Sequence, residues 1–188
     1  MSALVDLFAR SIEEFGSRVQ LVEEDQWEKP TPCGDWNVHD LVNHLVYEDV
    51  WAPPLFEGQT IEQVGDRFDG DLLGGAPHKA WEEASTGALA AAGAPGALSK
   101  PVHLSSGDQP GAEYLGQLLN DHVIHAWDLA RAIGADDTLD PELVEMLYDK
   151  MKPMEDTLKQ SGAFGDRVEV PDDADTQTKL LAVMGRQA

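Results

Sequence analysis

Apolar residues recur at steps of three and four from the start of the chain: Leu4, Leu7, Phe8, Ser11, Ile12, Phe15, Val19 and Val22, with Asp6, Glu13, Glu14, Arg18 and Glu23 between them. That period predicts an amphipathic helix. Pro30, Pro32 and Gly34 break it, and Asp35 stands where the cap of a second helix belongs. In that helix Val38, Leu41, Val42, Leu45 and Val46 keep the period until Trp51-Ala52-Pro53-Pro54, which is expected to end it. Residues 57–75, dense in glycine and aspartate, read as a loop with one helical turn. Trp81, Ala84, Ala88, Leu89 and Ala92 predict a third helix over 77–92, and residues 100–108 a short extended stretch. Tyr114, Leu118, Val123, Ile124, Trp127, Leu129 and Ala130 predict a fourth over 110–133, closed by Gly134. Asp140-Pro141 opens a further helix carrying Leu143, Met146, Leu147 and Met151, which Pro153 kinks or stops. A short strand at Arg167–Val170 and a last helix over 175–184 complete the reading.

Four long helices with short connections and no repeat predict an all-α fold, a four-helix bundle with short C-terminal additions. The 188 residues suit one domain, residues 1–188, with the core bundle at about 1–134 and a C-terminal extension at about 135–188. Leu143, Val144, Met146 and Leu147 suit either a homodimer interface or a fold back onto the bundle.

Composition then narrows the partners. Asp and Glu number 35 against 13 Lys and Arg, a formal charge of −22. Nucleic acid and anionic membrane surfaces are repelled by such a chain, so neither is expected as a partner. The single cysteine, Cys33, precludes an internal disulfide and fits a reducing compartment. With no apolar run of about 18 residues and no secretory leader pattern, the chain reads as soluble and cytoplasmic.

The chemistry concentrates in the fourth helix. Asp121 and His125 are one turn apart on one face, a spacing suited to two metal ligands, and a carboxylate within a core-forming helix costs several kcal/mol to desolvate unless a cation compensates it. A third ligand from another helix would leave a coordination position open, the mark of a catalytic rather than structural zinc site. His44, three residues beyond Leu41 and so beside the apolar stripe, is the candidate. Alternatives stay open on spacing alone. His44 can be an ordinary core histidine, and His122 can pair with His125 or, as its helical position favours, lie on the surface. Asp128 either orients His125 from behind or pairs with Arg131. Cys33 reads as a small residue beneath a turn.

The runs Thr31-Pro32-Cys33-Gly34-Asp35-Trp36-Asn37-Val38, Asp40-Leu41-Val42-Asn43-His44-Leu45, His125-Ala126-Trp127-Asp128-Leu129-Ala130 and Leu180-Leu181-Ala182-Val183-Met184-Gly185-Arg186 resemble the DinB-like metal-binding superfamily. Within it the chain is most similar to the actinobacterial branch related to mycothiol-dependent maleylpyruvate isomerase. The resemblance implies His44, Asp121 and His125 as ligands, with Asp121 where the isomerase has glutamate. It also implies a divalent metal, Zn or alternatively Ni or Fe, and mycothiol as co-substrate. The isomerase's additional C-terminal domain is expected to be missing or much reduced, since only about 50 residues follow Gly134.

The function expected from the resemblance is isomerase or S-transferase chemistry, in which a metal-activated thiol attacks a small electrophilic substrate. Two other classes stay open: a metal-dependent hydrolase, with Glu48 one turn beyond His44 as general base, and a non-catalytic protein that binds metal or thiol. Trp36, Trp51 and Trp127 either shape a pocket or fill the core.

Overall fold

The computed structural model describes residues 2–154 and 168–188, which form two compact units, Met1–Asp136 and Asp137–Ala188. The first unit holds helices α1 (Ala3–Val19), α2 (Val38–Phe56), α3 (Ile61–Val64), α4 (Pro77–Ala92) and α5 (Gly111–Ile133). Helix α1 packs chiefly on α5 and α2 on α4, while contacts between α1 and α4 and between α2 and α5 close the ring. The all-α bundle predicted from periodicity is therefore the fold. A hairpin of β1 (Pro101–Leu104) and β2 (Gly107–Pro110), antiparallel with Val102 opposite Gln109, spans the region read as extended.

Burial follows the sequence pattern closely. Val5, Phe8, Ser11, Phe15 and Val19 form the inner stripe of α1, and Val38, Leu41, Val42, Leu45 and Val46 that of α2. Against them stand Leu115, Leu118, Leu119, Val123, Ile124 and Leu129 of α5.

Two boundaries of α2 differ from expectation. Its cap is Asn37 rather than Asp35: Asn37 Oδ1 accepts from the Asp40 amide at 2.8 Å, and Asp40 Oδ2 accepts from the Asn37 amide at 3.2 Å. This reciprocal box satisfies two amide donors where a lone aspartate satisfies one. The helix also runs through Pro53 and Pro54 to Phe56. A proline removes a donor but already holds a helical φ, and this last turn is secured by the burial of Trp51, Leu55 and Phe56. The amides of Glu57 and Gln59 close it onto the carbonyls of Pro53 and Pro54.

In the second unit, α6 (Pro141–Met151) packs against α7 (Thr176–Val183). Asp140 and Asp175 cap them. Gln177 ties the segment before α6 by accepting from the Leu139 amide and donating to the Asp137 carbonyl. Leu143, Val144 and Leu147 are buried within the chain itself. Val168–Val170 is not a strand, and the Val168 amide donates to the Ala182 carbonyl; Arg167 lies outside the described residues. Among the described residues, no helix is long and apolar enough to cross a membrane.

Candidate metal centre

Three pieces of chain converge where α2 meets α5. Helix α2 brings His44 and, one turn on, Glu48; α5 brings Asp121, His125 and Asp128; the turn before α2 brings Cys33 and Trp36. That turn is closed locally. Thr31 Oγ1 accepts from the Cys33 amide at 3.1 Å, the Trp36 amide donates to the Cys33 carbonyl, and Gly34 takes φ +63°, a conformation that disfavours any residue with a Cβ.

His125 is held from behind. Its Nδ1 lies 2.9 Å from Asp128 Oδ2, an oxygen that also accepts from Cys33 Sγ at 3.0 Å, and Sγ is 3.6 Å from the same Nδ1. Asp128 is fully buried, while the Arg131 guanidinium lies over the Trp127 ring at 5.4 Å. Orienting His125 is thus a role Asp128 performs directly. With Nδ1 engaged, Nε2 is the nitrogen left for another partner. The His44 ring lies beside it edge-on, 5.4 Å between centres and 82° between planes. Two imidazoles on one tetrahedral zinc, with Zn–N of about 2.0–2.1 Å, place their ring centres about 5.2 Å apart. The observed separation of the two ring centres is close to that value. Trp36 leans over both rings, 4.9 Å from His44 and 6.1 Å from His125.

Asp121 is half-buried on α5, one turn before His125. Its charge is felt by Glu48, whose carboxyl is pushed up to about 7 by burial first, then by Asp121 and Asp49. His44 is pulled down to about 4, mainly by burial and then by His125 and His122, which leaves it a neutral imidazole at physiological pH. Neutral nitrogens and desolvated carboxylates are what a divalent cation stabilises. Among the described residues, the set of three ligand-type groups whose atoms all lie within 4.8 Å of one another is Cys33, His125 and Asp128; His44, Asp121 and His125 are not brought together as such a set. The separations of 2.9 and 3.0 Å within the Cys33 set are hydrogen-bond lengths. They are shorter than the roughly 3.3–3.5 Å expected between ligands of one tetrahedral zinc.

Space opens beside His44 and, one turn along α2, beside Glu48. A hollow of about 480 Å³ is lined by Trp36, Asn43, His44, Tyr47 and Asp69, and its wall is pinned by Asn43, which donates to the Gly70 carbonyl and accepts from the Leu72 amide. A second cavity, of about 370 Å³, begins at Glu48 and runs past Tyr47 and Trp51 to Tyr114.

Comparison with known proteins agrees with this architecture. The family described as the mycothiol maleylpyruvate isomerase N-terminal domain matches residues 8–130. The chain belongs to that family. Two relatives, the uncharacterized proteins MT0763 of Mycobacterium tuberculosis strain CDC 1551 / Oshkosh and Rv0738 of strain ATCC 25618 / H37Rv, are each 33% identical over 183 residues, 94% of either chain. The crystal structure of the mycothiol-dependent maleylpyruvate isomerase superposes with a TM-score of 0.64 at 17% identity, covering 88% of this chain and 73% of that one. Its H52A mutant matches equally.

For this member of the mycothiol maleylpyruvate isomerase N-terminal family, two sequence readings need correction. His122 is not a surface residue: it is fully buried, with Nδ1 3.2 Å from Ser11 Oγ, Nε2 3.2 Å from Asp49 Oδ1, and its ring stacked on Phe8 at 5.1 Å. The Ser–His–Asp set this makes is sealed from solvent and serves to tie α1, α2 and α5 together. Cys33 does more than fill space beneath a turn, since it bonds the carboxylate that orients His125. Of the two roles left open for the tryptophans, Trp36 takes the pocket one, 37% exposed and lining the hollow beside His44, whereas Trp51 and Trp127 are buried. The missed signal for His122 was Asp49, one residue past Glu48 in a helix whose buried stripe leaves a carboxylate there in need of a partner.

Proposed function

We propose that the chain is a mycothiol-dependent metalloenzyme, an isomerase or S-transferase, with one divalent ion held by His44, Asp121 and His125. The observation that carries this reading is the pair His44 and His125. One ring is anchored through Nδ1 to Asp128, and the other lies edge-on beside it with 5.4 Å between ring centres. Family membership supports the thiol, and the isomerase that shares the fold is itself mycothiol-dependent.

A bound divalent ion supplies the charge that lets a thiol lose its proton well below its free pKa of about 8.5. The chain's own residues do the rest. Asp128 fixes the tautomer of His125, and burial keeps His44 unprotonated. Glu48, poised to hold or release a proton near neutrality, serves as the acid or base for the substrate in the adjoining cavity. Trp36 covers the open side and limits water there.

A second ligand set, Cys33, His125 and Asp128, is favoured by their mutual proximity. Cobalt loading separates the two. The proposal expects a spectrum lacking a sulfur-to-cobalt charge-transfer band until a thiol is added, and unchanged by Cys33→Ser. A band in the protein alone that Cys33→Ser abolishes assigns the metal to the second set. Reaction with mycothiol and a panel of electrophiles, followed by mass spectrometry, should yield either an isomerised product or a thioether. Hydrolysis without thiol contradicts the proposal.

A further inference from the structure

The cavity beyond Glu48 has a composition that selects for charge. Three aromatic side chains, Tyr47, Trp51 and Tyr114, and the Glu48 carboxylate line its roughly 370 Å³, with Ser106 and Gln117 contributing polar groups. The Tyr47 and Trp51 rings are 5.8 Å apart and tilted at 53°. Tyr114 is only 4% exposed, and its hydroxyl has no hydrogen-bond partner. None of the described residues lining this cavity or the hollow beside His44 is lysine or arginine.

Charge bookkeeping extends the metal-and-thiol reading, on which this inference rests. A divalent ion, the Asp121 carboxylate and a thiolate sum to zero, and the carboxylate that lines the cavity itself is Glu48, which carries a negative charge once it gives up its proton. An ammonium group would neutralise it while resting on aromatic faces, whose quadrupoles attract cations. A dicarboxylate such as maleylpyruvate would add two negative charges with no basic side chain to receive them. We propose that this cavity binds an organic cation, so that the electrophilic substrate carries an alkylammonium group and dicarboxylates are excluded.

Calorimetric titration of the full chain, zinc-loaded and zinc-free, with benzyltrimethylammonium, benzyl alcohol and maleate tests this. The ammonium should bind at least about ten-fold more tightly than the alcohol in both forms, and maleate should not bind measurably to the zinc-free form. Glu48→Gln and the more exposed Tyr47→Leu should each reduce the ammonium preference by about three-fold or more. Maleate binding as tightly as the ammonium, or a preference untouched by both variants, overturns the inference. Zinc content and mycothiol binding, measured on the same samples, report separately on the metal-and-thiol reading. Its failure shows as absent zinc or thiol binding, whatever the cation preference.

Discussion

At the scale of single residues, the site is a set of titratable groups whose burial was set by their neighbours. Glu48 sits at about 7 in the fold against an ordinary 4.5, so the folded state holds its proton more tightly than the unfolded state does. The stability this adds is complete below about pH 4.5 and is lost as pH rises through about 7. His44 works in the opposite sense. Held at about 4 against 6.5, it contributes stability that is present above about pH 6.5 and lost as pH falls through about 4. In metal-free protein the two offset each other between those limits. Glu48→Gln removes the first, so urea unfolding should find that variant on the order of 3 kcal/mol more stable than the parent at pH 8, with the gap gone at pH 4. A gap that does not change with pH contradicts the assignment. His122→Ala leaves Asp49 buried without its imidazole, and should cost about 3–5 kcal/mol in the same assay while leaving metal content intact.

At the scale of elements, two features position the site. The Asn37–Asp40 box starts α2 at the register that turns His44 toward α5, and Asn37→Ala should cost about 1 kcal/mol. Helix α5 starts against the 3-10 turn Ala97–Ser99, where a Cβ on Gly111 would stand 2.2 Å from the Ala97 carbonyl oxygen. Gly111→Ala should therefore shift the start of α5 and lower the thermal midpoint by several degrees, which calorimetry can check. Helix type and extent were readable because the apolar stripes of α1, α2, α4 and α5 are long and strongly periodic. The end of α2 was not, because whether a helix tolerates Pro53 and Pro54 depends on the burial of Leu55 and Phe56, a tertiary fact. The same holds for Cys33: its meeting with Asp128 spans 95 positions and leaves no local trace.

At the scale of the whole molecule, a formal charge of −22 makes self-repulsion a general cost of compactness. Raising sodium chloride from about 20 to about 500 mM should raise the melting temperature, because screening shortens to a few ångströms over that range. A flat or falling response would mean that local pairing already cancels the repulsion. His44 and His125 were legible as partners from two distant stretches, since each falls at a helical position facing the core. The environment around them, from the Trp36 cover to the Asp128 and Cys33 support, became apparent only once the turn and two helices were assembled. The central claim is that those two imidazoles share one ion with Asp121. Elemental analysis of the purified protein tests it most directly: about one equivalent of divalent metal in the parent and in His122→Ala, and almost none in His44→Ala or His125→Ala. Full retention in His44→Ala, with loss in Cys33→Ser, would contradict it.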